Sequence, residues 1–170
     1  MRRMLACLTM LAVLAAIPAG AGPVAPEHIY DPGRLPATDS VLKVAVGQPA
    51  PDFTLPAVGG DKVTLSSYRG RKNVVLSFVP AAFTPVCSDQ WPGYNFAREL
   101  FEKHSAIVLG ISTDNTPSQF AWVKEMGGLW FPVLSDFWPH GAVASAYGVL
   151  RKSGVAERAI VIVDRQGVIR

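Results

Sequence analysis

The chain has 170 residues, 49% of them apolar and only 17% charged, with 16 basic and 13 acidic residues giving a formal charge of +3. That length and apolar share suit one compact domain able to bury a real core. Basic and acidic residues are interleaved rather than massed in one run, so there is no electrostatic footprint for nucleic acid and none is expected as a partner.

Arg2 and Arg3 precede an apolar stretch over residues 4–17, and Ala19-Gly20-Ala21 supplies small residues at an A-x-A site. This pattern predicts a secretory signal over residues 1–21, cleaved after Ala21, and hence a periplasmic or extracellular protein. A helix of that apolar length spans about 21 Å, short of the roughly 30 Å hydrocarbon core, so no stable membrane anchor is expected after cleavage. Cys7 lies inside the apolar run rather than at its end, which gives no support to lipidation there. Loss of residues 1–21 lowers the formal charge from +3 to +1 and leaves Cys87 as the one cysteine. A lone thiol in an oxidising compartment calls for a reason.

Residues 22–45 carry Pro23, Pro26, Pro32 and Pro36 among polar residues and predict an extended, proline-rich leader. The folded domain is expected over residues 46–170. Alternating stretches at 53–55 and 62–65 around Gly59-Gly60 predict a hairpin. The β-branched runs at 73–79, 106–112 and 158–164 are too continuous for a one-sided sheet and predict buried central strands. Between them, residues 93–104 carry Tyr94, Ala97, Leu100 and Phe101 at helical spacing. A second helix is predicted from Thr116 as cap, Pro117 in the first turn and Gln119 completing a capping box, with Phe120, Val123 and Met126 facing inward. A shorter helix is predicted at 141–147, and the turn 164–167 leads to a last strand at 168–169. Strand and helix alternate, which argues an α/β layered domain.

Cys87 follows the strand at 73–79 through a loop and precedes a helix-compatible segment. A helix N-terminus offers unpaired N–H groups and a positive dipole end, which favour thiolate and can cradle an anionic oxygen. Most free cysteines are instead buried small apolar residues, and position alone does not separate the two readings.

The neighbouring residues do. Pro80, Thr84 and Cys87 stand in the pattern P-x-x-x-T-x-x-C, which resembles the signature of peroxiredoxins, the alkyl hydroperoxide reductase C and thiol-specific antioxidant family. The resemblance runs from about residue 46 to 170 through VGQPAPDFTLP, LSFVPAAFTPVC, LGIST and LSDFWPHGAVASAYGV, the last two most like the AhpE-type one-cysteine branch. It implies a thioredoxin-like fold with a central mixed sheet flanked by helices and an N-terminal hairpin. It also implies Cys87 as the peroxidatic nucleophile, Thr84 as a hydroxyl partner of the peroxide, Pro80 as a shield over the pocket and Arg158 as a remote arginine. On that reading Thr84 Oγ, the Val86 and Cys87 amides and Arg158 hold the peroxide in line with the sulfur. An ordinary thiol is about 3% ionised at pH 7, so full ionisation gains about 30-fold at most. Most of the expected rate must therefore come from stabilising the transition state.

The resemblance further implies a peroxide substrate reduced through a Cys87 sulfenic acid, with an external thiol or thioredoxin-like reductant closing the cycle. It leaves room for a homodimer. No cofactor and no metal are expected, because no histidine or carboxylate clusters with Cys87 at ligand spacing. Dithiol exchange within one C-x-x-C motif is excluded, since Thr84 stands where the first cysteine would be, and Pro92 occupies the position five residues on where a resolving cysteine commonly lies. His28, His104 and His140 lie in the leader, at a helix end and in a loop, which argues against a Cys-His hydrolase. Other readings of the same fold are a thioredoxin-like thiol-disulfide oxidoreductase and a non-turnover peroxide sensor or holdase, the last supported only by an exposed-looking region at Trp91, Trp130 and Trp138. Without the motif, Arg158 reads as a surface ion pair with Glu157. The sequence ends at Arg170, just after the Gly167 turn, where the family pattern implies a further strand and a C-terminal helix; that helix is expected to be missing.

Overall fold

The computed structural model describes residues 23–34 and 36–170, so the expected export signal and Cys7 lie outside it. A hairpin of β1 (Thr54–Pro56) and β2 (Lys62–Thr64) stands beside a four-stranded sheet. That sheet contains β3 (Asn73–Phe78), β4 (Ala106–Ser112), β5 (Val133–Ser135) and β6 (Ala159–Val163) in the order β5-β4-β3-β6. β3, β4 and β5 run parallel, and β6 pairs antiparallel with β3.

The continuous apolar runs of β3 and β4 are explained by cover on both faces. Side chains alternate along a strand. Leu76, Phe78, Leu109 and Ile111 pack with Tyr147 on one face, while Val108 packs with Trp91, Trp122 and Met126 on the other. Gly110 falls on the second face. A Cβ there would lie 2.8 Å from Trp91 Cζ2, so only glycine lets the indole lie against the strand. The run at 158–164 is a different case: β6 is an edge strand among the described residues, with Ile160 and Ile162 exposed and Val161 and Val163 buried. Its composition suits a central strand, but cover on its second face is a tertiary matter. The strand expected at 168–169 is reduced to isolated bridges, Pro49 with Val168 and Val163 with Ile169.

Among the described residues four α-helices pack on the sheet: α1 (Pro85–Phe96), α2 (Arg98–Lys103), α3 (Thr116–Glu125) and α4 (Ala142–Tyr147). The single helix expected at 93–104 is two, because α1 begins at Pro85 and ends at Phe96. Pro92 sits inside α1 rather than before it. The inward face is therefore Cys87, Ser88 and Trp91, whereas Leu100 is exposed. In α3 the cap is Asn115, whose Oδ1 accepts from Ser118 N at 2.9 Å, so Thr116 is already inside the helix. That phase buries Gln119 and Trp122; of the expected inward stripe, Met126 is buried and Val123 packs against the core, while Phe120 is exposed instead of facing inward. Trp91 is likewise fully buried, with Nε1 donating to Ser77 Oγ at 3.1 Å, and Trp130 is partly buried; of the three tryptophans expected to be exposed, only Trp138 is.

Among its described residues the leader has a 3-10 turn at Pro26–His28, a further local turn at residues 31–33 and no strand or α-helix, and it lies against the domain. Val24 is buried beside the tryptophan cluster. Farther along, the Pro36 and Ala37 carbonyls accept from Arg151 Nη2 at 2.9 Å, and Lys43 N donates to Tyr147 O at 3.2 Å. Gly148, at φ 75°, passes so close to the Val41 and Lys43 backbone that a Cβ would collide with it.

At the leader's first turn, His28 Nδ1 meets Glu125 Oε1 of α3 at 2.7 Å. The hydrogen bond and negative charge of Glu125 raise the His28 pKa above its ordinary 6.5. A raised imidazole pKa means that this contact holds the leader best below about pH 6.5 and weakens as the pH rises through the folded-state value. The expected NMR titration of His28 lies above 6.5 and returns toward it in Glu125→Gln; a midpoint at or below 6.5 in the parent protein would refute the contact.

Candidate active site

β3 ends at Phe78, and the chain turns through residues 79–84 into α1, so Cys87 is the third residue of that helix. Two anchors fix the turn. Asp114 Oδ2, just past β4, accepts from Ala82 N at 2.9 Å and from Ser112 Oγ at 2.7 Å. Phe83, held at φ 56° in the left-handed region that non-glycine residues seldom occupy, accepts through its carbonyl from Tyr30 N at 2.8 Å.

Thr84 is the N-cap residue, extended at φ −97° and ψ 152°, but its side chain makes no capping bond. Its hydroxyl donates instead to Ala81 O at 2.8 Å. With its proton so committed, Oγ1 is left as an acceptor for a substrate O–H. Pro85 has no N–H, and the Ser88 amide is satisfied by Thr84 O at 3.0 Å. The Val86 and Cys87 amides are thus the unpaired donors of the first turn.

Cys87 is fully buried, among Val79, Trp91 and Trp122. Its polar partner is Arg158, which comes from the residue just before β6 and donates through Nη2 to Sγ at 3.4 Å. The second guanidinium arm donates through Nη1 to Gln90 Oε1 at 2.9 Å, and Gln90 Nε2 donates to Tyr94 Oη at 2.8 Å. Glu157, the expected partner of Arg158, pairs with Arg151 at 2.6 Å. Arg158 makes no ion pair with any described residue, so its charge is free to act on the sulfur. Gln90 was not among the residues picked from the sequence. Its signal was the spacing: Cys87, Gln90 and Tyr94 recur at three and four residues along one face of α1.

Thr84, Arg158, Pro80 and Val86 all line a cavity of ≈ 370 Å³, open on one side to solvent. Pro80 is buried in its wall, where a shielding residue would stand. Cys87 is fully buried and does not itself line the cavity, whereas Thr84 and Arg158 do. All four residues singled out from the motif are therefore gathered at one place, although 71 residues separate Cys87 from Arg158.

A cysteine in the first turn of a helix, a threonine at the N-cap position with a spare acceptor and a distant arginine on the sulfur stand together, and the AhpC/TSA family model matches residues 46–170. The chain belongs to the AhpC/TSA family. Alkyl hydroperoxide reductase E of Mycobacterium tuberculosis is 45% identical over 126 residues, which cover 74% of this chain and 82% of that protein. Peroxiredoxin-1 of Gallus gallus is 37% identical over 139 residues, covering 75% of this chain and 68% of its own. Among solved structures, thioredoxin peroxidase I of Plasmodium yoelii superposes with a TM-score of 0.66 at 34% identity, covering 74% of this chain and 77% of the other. The fold is the thioredoxin-like fold of peroxiredoxins, a mixed sheet flanked by helices with an N-terminal hairpin. The likeness to alkyl hydroperoxide reductase E agrees with the AhpE-type stretches read from the sequence.

Proposed function

We propose that this protein is a thiol-dependent peroxidase that reduces hydrogen peroxide and organic hydroperoxides at Cys87 by a one-cysteine cycle. The observation that carries this reading is the 3.4 Å contact of Arg158 Nη2 with Cys87 Sγ at the first turn of α1, beside the cavity.

The chemistry follows from the donors. The Cys87 thiolate attacks the nearer peroxide oxygen, a sulfur–oxygen bond forms and the O–O bond breaks. Sulfur supplies the electron pair and is oxidised to sulfenic acid, while the departing oxygen takes a proton and leaves as water or an alcohol. Arg158 and the Val86 and Cys87 amides face the charge as it moves from sulfur onto oxygen, and Thr84 Oγ1 accepts a hydrogen bond from the peroxide O–H and so orients the O–O bond. An external thiol then attacks the sulfenic sulfur with release of water, and a second thiol reduces the mixed disulfide to regenerate Cys87. Cys87 is the one cysteine among the described residues, which is why the cycle needs outside thiols.

Export is part of the proposal. It rests on the basic start, apolar run and small-residue site of residues 1–21, and it would place the external thiol in a periplasmic or extracellular setting. A homodimer is compatible with the family.

Turnover is tested with excess hydrogen peroxide and a dithiol or a thioredoxin-like reductant. Continued peroxide consumption is expected when the reductant is present, and one equivalent per Cys87 when it is absent. A single equivalent under both conditions would mark a sensor instead of an enzyme.

A further inference from the structure

The family match begins at residue 46, yet the cavity beside Cys87 is not built by residues 46–170 alone. Tyr30, Asp31, Pro32 and Gly33 of the leader line it together with residues of the 80–86 turn and Arg158. We propose that this leader segment is the specificity wall of the peroxide site, retaining the apolar body of an organic hydroperoxide and contributing nothing to hydrogen peroxide. The inference rests on the peroxidase reading above and assigns a role to residues outside the shared family region.

Three observations support it. First, the wall is placed rather than draped. Tyr30 N donates to the carbonyl of Phe83, the residue just before Thr84, at 2.8 Å, and Ile29 packs against the apolar cluster that contains Cys87. Asp31 Oδ1 accepts from Gly33 N at 2.8 Å and closes a local turn, with Gly33 at φ 72° where a residue bearing a Cβ would be strained.

Second, the cavity is far larger than its smallest substrate. One water takes up about 30 Å³ of liquid, and hydrogen peroxide, with one more oxygen, is only moderately larger. A volume of ≈ 370 Å³ falls instead in the range of sites that enclose an organic molecule.

Third, the lining joins a few polar groups to an otherwise apolar surface. Thr84, Arg158 and Asp31 are its polar side chains, with Thr84 and Arg158 beside the helix start and the sulfur, where either peroxide presents the same O–O group. Pro32, Pro80, Ala82 and Val155 supply apolar lining, and Tyr30 and Val86 are left 70% and 57% exposed. An uncovered aromatic ring at the rim gains a partner only when the substrate has an apolar body to lay against it. Hydrogen peroxide has none.

The test compares second-order rate constants for Cys87 oxidation by hydrogen peroxide and by cumene hydroperoxide, in the parent chain, Tyr30→Ala and Tyr30→Phe. Tyr30→Ala is expected to slow the cumene hydroperoxide reaction about tenfold and to leave the hydrogen peroxide reaction within about twofold, while Tyr30→Phe keeps both rates. Tyr30 is mostly exposed, so neither variant threatens folding. A Tyr30→Ala protein with an unchanged ratio of the two rates, or with both rates lowered alike, overturns the wall while the peroxidase reading stands. A parent protein slow toward both peroxides overturns the peroxidase reading and the wall with it.

Discussion

Cys87→Ser is expected to fold and to consume no peroxide above the uncatalysed background, a loss of about 10⁴-fold or more. The electrons that break the O–O bond come from sulfur, and a serine oxygen in the same place cannot give them up to form a stable oxidised product. The hydroxyl would be buried among Val79, Trp91 and Trp122, with Arg158 as its nearest donor. The stability cost should therefore be about 1–3 kcal/mol, that of one imperfectly paired buried polar group. Trp91 and Trp122 stack with ring centroids 4.7 Å apart in the same cluster as the sulfur, so their fluorescence should report both folding and oxidation. The decisive measurement is stopped-flow fluorescence with hydrogen peroxide, together with intact mass. A peroxide-dependent gain of one oxygen per chain in Cys87→Ser would place the chemistry elsewhere.

Arg158→Ala should slow sulfur oxidation by about 10²–10³-fold, the usual cost of removing one fixed donor from a site where charge develops. Arg158 is exposed, so solvent screens part of its charge and the lower end of that range is expected. For the same reason stability should change by less than about 0.5 kcal/mol, since the side chain has no carboxylate partner to strand. Arg158→Lys should recover only part of the rate. One ammonium on a flexible stem cannot bind Gln90 Oε1 and Cys87 Sγ at once in the fork that the guanidinium makes. An alanine variant that reacts within threefold of the parent would remove arginine from the mechanism and leave the helix terminus and Thr84 to account for the rate.

Cys87, the proposed nucleophile, and most of its neighbourhood were legible in the sequence through a motif whose parts are local. The strand over 73–78, the turn and the helix start are contiguous, so the pattern from Pro80 to Cys87 carries its own geometry. The apolar runs of β3 and β4 were equally readable, since a strand covered on both faces leaves no polar alternation. Tertiary structure decided the rest. Whether Arg158 meets Glu157 or Cys87 is a contest between a neighbour in sequence and a partner 71 residues away; it is settled by Arg151 taking Glu157 at 2.6 Å and by the antiparallel pairing of β6 with β3. The same apolar composition makes β4 a central strand and β6 an exposed edge, because burial of a strand's second face depends on what packs there and not on the strand. Residues 30–33, polar and proline-rich, carry no periodic signal for any site. They line the cavity beside Cys87 because one backbone hydrogen bond, from Tyr30 N to Phe83 O, and the packing of Ile29 lay the leader against the 80–86 turn.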